Sequence, residues 1–105
     1  MAEVVHLLGG EGRGPLWGAA SEDLNATLLA WPAGDGTPEH VNDERDVLLV
    51  VVDGSGAVEV DGDALAIERA DALLLPKGAR RRVVAGDAGI RYLSVHLRRG
   101  GLTIS

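Results

Sequence analysis

The 105-residue chain has no cysteine and no phenylalanine, and its only aromatic residues are Trp17, Trp31 and Tyr92. Without cysteine it forms neither disulfides nor thiolate metal sites, which is typical of a protein of the reducing cytoplasm. With so few aromatic side chains the core has to be aliphatic. The hydrophobic content of 46% is high enough for such a core. We therefore expect a folded cytoplasmic protein.

Positive charge is also scarce, because ten Lys and Arg residues face sixteen Asp and Glu residues and leave a net charge of −6. This balance excludes a general nucleic-acid-binding surface. No apolar run approaches the roughly 18 residues that a membrane-spanning helix needs. The first residues also lack the basic stretch of a secretory signal. The sequence therefore predicts neither a nucleic-acid partner nor a membrane partner.

Glycine, in contrast, is abundant, with 15 residues, and turn signals recur about every 8–12 residues. Asp61 and Gly62 predict a two-residue hairpin, because both residue types accept the positive φ of a type I′ turn. The apolar segments between the turn signals predict short strands at 4–8, 24–31, 47–52, 57–60, 64–68, 72–75, 79–85 and 90–97. We predict one all-β domain over residues 1–105, a sandwich or barrel of roughly eight or more short strands.

The predicted strand 47–52 reads Val-Leu-Leu-Val-Val-Val and is apolar on both faces. A strand with one solvated face alternates between apolar and polar residues, so this one needs cover on both sides. With Val47 facing inward, Leu48 and Val50 face outward, and a second copy of the chain is the simplest cover for them. We therefore expect a homodimer.

Two stretches of the chain resemble the motifs of the cupin superfamily, in particular those of its short single-domain bacterial members. The letters of the first motif, G-x5-H-x-H-x3-4-E-x6-G, fall on Gly34, His40, Asn42, Val47 and Gly54. The letters of the second motif, G-x5-P-x-G-x2-H-x3-N, fall on Ala70, Pro76, Gly78, Arg81 and Ala85. The resemblance implies a cupin-type antiparallel jelly-roll β-barrel.

In the family, the histidines and the glutamate of these motifs hold a divalent metal ion, and their positions fall here on His40, Asn42, Val47 and Arg81. Valine donates no lone pair, and arginine is permanently protonated and repels a cation. One imidazole and one amide are too few for a transition-metal site. We therefore predict no metal cofactor. The alternative is one divalent metal ion in a site rebuilt from His40, Asn42 and Asp46.

The same four positions predict a ligand pocket inside the barrel, formed by His40, Asn42, Val47 and Arg81. The planar donor fork of an arginine suits a carboxylate or a phosphate, so an anionic small molecule is the expected ligand. A binding or regulatory module is the expected function. The alternative is a metal-dependent cupin enzyme of the dioxygenase or isomerase/epimerase type, and the sequence assigns no catalytic residue. Arg81 also has a competing interpretation as a surface charge that pairs with Glu44 or Asp46.

The last predicted strand has two faces of different character. Leu93, Val95 and Leu97 form the more apolar face and are the better candidates for the core. This choice directs Tyr92, Ser94 and His96 outward and places His96 at an interface or at the surface. In the opposite orientation, Tyr92 and His96 would share a cavity with His40.

Overall fold

A computed structural model of the chain describes residues 4–98, and every regular element in this range is a β-strand. The strands are β1 (Gly14–Ala20), β2 (Leu24–Trp31), β3 (His40–Val41), β4 (Val47–Val60), β5 (Asp63–Glu68), β6 (Ala72–Leu75) and β7 (Arg80–Leu97). The all-β prediction is confirmed. Residues 1–3 and 99–105 of the predicted domain lie outside the described range. Among the described residues, no helix is long and apolar enough to cross a membrane.

Two long strands, β4 and β7, organise an antiparallel fold. The first half of β4 pairs with β6 and with the second half of β7, which also pairs with β2. The second half of β4 pairs with β5 and with the first half of β7, which also pairs with β3. Strand β1 completes the first group by pairing with β2. The seven strands thus form one continuous sheet in which β4 and β7 take part in both groups of pairings, as in the predicted jelly-roll barrel.

Glycines of β4 and β7 meet between the two groups of pairings. Gly54, the last glycine of the first motif, has a φ of 77°, and a Cβ atom there would lie 2.2 Å from the carbonyl oxygen of Gly89. Gly89 itself has a φ of 79°. No side chain fits between the two backbones, so glycine lets the long strands stay in contact as they pass from one group of pairings to the other.

The structure corrects several predicted strand boundaries. Segment 4–8 is not a strand, and β1 forms instead from residues that the sequence left unassigned. The predicted strands 47–52 and 57–60 are one strand, as are 79–85 and 90–97. Glycines usually indicate turns, but here the pairing of β4 with β7 continues through the glycines, with an irregular register between Val51 and Gly56. The predicted hairpin at Asp61-Gly62 is confirmed, with φ values of 49° and 91°.

The core is aliphatic and lies inside the barrel. Val47, Leu49 and Val51 of β4 are only 2–3% exposed, whereas Leu48 between them is 41% exposed. The predicted orientation of this strand, with Val47 inward and Leu48 outward, is therefore correct. Burying each such aliphatic side chain contributes roughly 1.5–3 kcal/mol, which makes this interior the main source of stability.

Candidate ligand-binding site

The barrel interior contains a cavity of about 180 Å³. Aliphatic side chains from several strands form most of its wall, namely Leu29, Val47, Leu49, Leu75 and Val83. The remaining lining residues carry polar groups and are Thr37, His40, Arg81, Tyr92 and Ser94. Three of the four predicted pocket residues, His40, Val47 and Arg81, therefore line one cavity.

Arg81 supplies a buried positive charge to this cavity. It is 7% exposed, while its neighbours Arg80 and Arg82, on the other face of β7, are exposed. Its Nε–H donates to Nε2 of His40 at 3.4 Å, but its Nη1 is buried without a hydrogen-bond partner in the described part of the chain. Burial lowers the pKa of Arg81, yet a guanidinium starts so high that it stays charged. The cavity thus contains a buried cation with an unused donor.

His40 lies at the mouth of the cavity, because β3 pairs with β7 so that His40 stands directly opposite Arg81. Its Nε2 accepts the hydrogen bond from Arg81, which requires the ring proton to be on Nδ1. Nδ1 lies 3.2 Å from the carbonyl oxygen of Pro38 and donates to it. Both ring nitrogens of a neutral His40 therefore have partners within the protein.

Two hydroxyl groups of the lining residues already accept hydrogen bonds. The Tyr92 hydroxyl accepts from Nε1 of Trp31 at 3.0 Å, and the Thr37 hydroxyl accepts from the backbone N–H of Val83 at 2.9 Å. Burial raises the pKa of Tyr92, and the hydrogen bond from Trp31 opposes this rise. Among the described residues, Nη1 of Arg81 is the buried side-chain nitrogen or oxygen atom without a hydrogen-bond partner.

Asn42, the fourth predicted pocket residue, is not part of the cavity wall. Its Oδ1 accepts hydrogen bonds from the backbone N–H groups of Glu44 and Arg45, at 3.0 and 3.3 Å. An asparagine side chain that closes a local turn in this way is a common feature of loops. The motif spacing identifies Asn42 as the residue at this motif position. It does not show that the Asn42 side chain bonds to the backbone of its own loop.

The predicted orientation of the last strand is wrong. Tyr92, 2% exposed, and Ser94 line the cavity, whereas Leu97 on the opposite face is 64% exposed. The error arose because the outer face is also partly covered: Leu93 lies opposite Leu28, which is only 2% exposed. The difference in hydrophobicity between the two faces of β7 therefore did not indicate which face lines the cavity. His96 does not line the cavity, and its ring lies 3.2 Å from the side-chain amide of Asn25.

Comparison with solved structures identifies the architecture around this cavity. A cupin protein from Bacteroides fragilis superposes with a TM-score of 0.75 at 18% identity, over 93% of this chain and 87% of that one. The chain has the cupin fold. The cupin domain of Cnp3 from Schizosaccharomyces pombe gives 0.70 at 16% identity, over 80% and 61% of the two chains. KdgF from a Halomonas species gives 0.71 at 22% identity, over 82% and 78%.

No protein-family model and no curated protein matches the sequence. One fold hosts many chemistries, so the cupin fold by itself assigns no reaction or ligand. Any functional conclusion has to come from the side chains that line the barrel.

The side chains at the four motif positions, for which the sequence resemblance implied metal ligands, do not fit a metal ion. Nε2 of His40 accepts from a guanidinium, Val47 is apolar, and the Asn42 oxygen accepts two backbone N–H groups. The alternative ligand Asp46 accepts from the backbone N–H of Lys77 at 2.9 Å. Within residues 4–98, no three His, Asp or Glu side chains form a group that could hold a metal. The rebuilt site around His40, Asn42 and Asp46 is therefore not supported.

A larger cleft of about 460 Å³ lies on the surface beside Trp31, but its cations already have partners. Arg13 forms an ion pair with Asp35, lowering the pKa of that carboxyl, and its guanidinium lies 5.2 Å from the Trp31 ring centre. Arg91 donates to the backbone carbonyls of Leu7, Gly9 and Gly10. The smaller barrel cavity, in which a buried donor lacks a partner, is the better candidate site.

Proposed function

We propose that this cupin-fold protein is a metal-free module that binds a small anionic molecule inside its barrel. The observation that carries the proposal is the buried guanidinium of Arg81, whose Nη1 has no acceptor among the described residues. Its function is binding or regulation through that ligand, without a metal ion.

The energetic argument rests on the cost of an unpaired buried charge. Leaving a charged group buried without a partner is unfavourable by several kcal/mol, so such groups are normally paired. Arg81 makes no ion pair with a carboxylate of residues 4–98. An anion that enters the cavity supplies the missing acceptor and gains a charge-assisted hydrogen bond of about 1.5–3 kcal/mol.

The rest of the wall suits the organic part of such a ligand. Ligand pockets are typically lined by apolar side chains with a few polar groups that set orientation. The barrel cavity has this composition, with five aliphatic residues around one guanidinium. The chain is acidic as a whole, so long-range attraction of anions is weak and recognition has to occur at Arg81 itself.

The test is thermal unfolding in the presence of acetate, succinate, phosphate or sulfate, for the native protein and two variants. Arg81→Met removes the charge and keeps an unbranched side chain, and Arg82→Met makes the same change on the exposed face of β7. A ligand at about 100 times its Kd stabilises the folded state by about 2.7 kcal/mol. We expect at least one of these anions to stabilise the native protein and Arg82→Met alike, and Arg81→Met far less.

Without anions, Arg81→Met should be at least as stable as the native protein, because an apolar side chain replaces an unpaired buried charge. Equal stabilisation of all three proteins by every anion would refute the proposal.

A further inference from the structure

The volume of the barrel cavity limits the size of its ligand. In another protein, a dry cavity of about 150 Å³ lined by aliphatic and aromatic side chains takes up benzene, a molecule of six carbon atoms. The cavity here has a comparable volume, about 180 Å³. It therefore accommodates a molecule of roughly six to eight non-hydrogen atoms, and not a sugar chain or a nucleotide.

The charge of the cavity limits the charge of the ligand. Of the described residues that line it, Arg81 alone carries a permanent charge. One negative charge on the ligand is therefore balanced. A second negative charge would be buried without a counterion, which is strongly unfavourable.

The hydrogen bonds of the cavity limit the polar groups of the ligand. The hydroxyls of Thr37 and Tyr92 already accept hydrogen bonds from the protein, and Nε2 of His40 accepts from Arg81. The unmet group is a donor, Nη1 of Arg81. A ligand whose polar part only accepts hydrogen bonds, as an ionised carboxylate does, matches this arrangement.

We infer that the barrel binds a short aliphatic monocarboxylate of roughly four to six carbon atoms, with its carboxylate on Nη1 of Arg81. The hydrocarbon part lies against the aliphatic wall formed by Leu29, Val47, Leu49, Leu75 and Val83. This inference rests on the proposed function and specifies its ligand class.

The experiment is a set of calorimetric titrations of the full chain at neutral pH with four probes. Isovalerate is the branched monocarboxylate, isovaleramide its neutral isostere, glutarate a dicarboxylate of similar length, and inorganic phosphate a compact anion. We expect isovalerate to bind most tightly. Isovaleramide should bind about ten- to a hundredfold more weakly, because it forms no charge-assisted hydrogen bond with Arg81. This comparison of acid and amide needs no variant.

Arg81→Met should weaken isovalerate binding by the same factor of about ten to a hundred, and Arg82→Met should leave it unchanged. Tighter binding of glutarate or phosphate, lost in Arg81→Met, would overturn the monocarboxylate and leave the proposed anion-binding function in place. Equal binding of isovalerate and isovaleramide would overturn the carboxylate anchor. If none of the four probes binds in a way that depends on Arg81, while the anions of the thermal test still stabilise the native protein through Arg81, the ligand class alone is wrong. If those anions fail as well, the proposed function fails with it.

Discussion

Arg81 on β7 and His40 on β3 are direct cross-strand neighbours, and Nε–H of Arg81 donates to Nε2 of His40 at 3.4 Å. This is the one side-chain hydrogen bond of Arg81 within the described residues. The guanidinium is thus held by an imidazole nitrogen, and no carboxylate of the described residues neutralises its charge. Two motif positions for which the sequence resemblance implied metal ligands are here joined to each other by a hydrogen bond.

The first prediction concerns the strength of this pair. His40→Leu should destabilise the fold by about 1–3 kcal/mol, because it leaves a second donor of the buried guanidinium unpaired. In an Arg81→Met background the same substitution should have little effect, since no buried donor remains. Urea unfolding of the native protein, both single variants and the double variant measures this coupling.

A matched control is His6→Leu, which replaces an exposed histidine outside the cavity. It should change the unfolding free energy by no more than about 0.5 kcal/mol. Additive effects of the His40 and Arg81 substitutions would contradict the hydrogen bond between them.

The second prediction concerns Ala70, which stands where the second motif has glycine. Its φ of 73° lies in the left-handed region, which is unfavourable by about 1–2 kcal/mol for residues with a Cβ atom. Ala70→Gly removes that strain. Glycine also loses more conformational freedom on folding than alanine does, which lowers the stability by about 0.5–1 kcal/mol. We expect a net stabilisation of about 0.5–1 kcal/mol, measured by urea unfolding.

The same substitution in a regular strand provides the control for Ala70. Ala66→Gly, in β5, should lower stability by about 0.5–1 kcal/mol because no strain is relieved there. If both glycine variants were destabilised to the same extent, the left-handed backbone at Ala70 would be wrong.

The third prediction is a loss of stability in alkaline solution that comes from Tyr92. Burial raises the pKa of Tyr92, so the folded protein holds the phenolic proton more tightly than the unfolded chain does. This contribution to stability is complete below the ordinary tyrosine pKa of about 10. It falls as the pH rises above that value, because the unfolded chain then binds fewer protons than the folded one.

Tyr92 is the only tyrosine of the chain, so the tyrosinate absorbance in the near ultraviolet reports this one group. Its titration midpoint should lie above about 10 in the folded protein and near 10 in denaturant. Trp31→Phe removes the hydrogen bond that favours the ionised form and should raise the folded midpoint further. Identical midpoints in the folded and denatured protein would be inconsistent with the burial of this side chain.

The fourth prediction is the homodimer, for which the outer face of the first group of strands is the expected interface. An apolar row crosses this face from β2 to β6 and consists of Ala26, Val95, Leu48 and Leu74. Leu48 is 41% exposed and Leu74 is 60% exposed. Leu48→Lys should shift the protein towards the monomer in analytical ultracentrifugation, because it would bury a charge in the contact.

Leu65→Lys is the matched control for Leu48→Lys. Leu65 is 42% exposed but lies on β5, which pairs with the other half of β4. It should leave the sedimentation behaviour unchanged. A native protein that sediments as a monomer at tens of micromolar would rule the homodimer out.

Much of the strand pattern could be predicted from local signals. Strands β2 and β6 begin and end where the apolar segments predict, and Asp61 and Gly62 form the expected turn because few other residue types accept positive φ. The inward position of Val47 also followed from period-two alternation. Segment 4–8 is apolar but forms neither a strand nor part of the core: Val4 is 84% exposed, Leu8 is 54% exposed, and the carbonyl of Leu7 accepts a hydrogen bond from Arg91. The sequence does not predict that β4 continues through Gly54, because a glycine is equally typical of a turn and of a strand in close contact with another backbone.

The sequence alone was enough to establish the all-β class, the cupin resemblance and the lack of a metal-ligating side chain at Val47 and Arg81. These properties depend on residue type and on spacing along the chain, which can be seen without any long-range contact. The three-dimensional fold was needed to show that Asn42 lies outside the pocket, that Tyr92 and Ser94 line it, and that Arg81 is buried beside His40. The physical reason is that burial and hydrogen bonding depend on which strands become neighbours. Residues 40 and 81 are far apart in the chain and meet only because β3 pairs with the first half of β7.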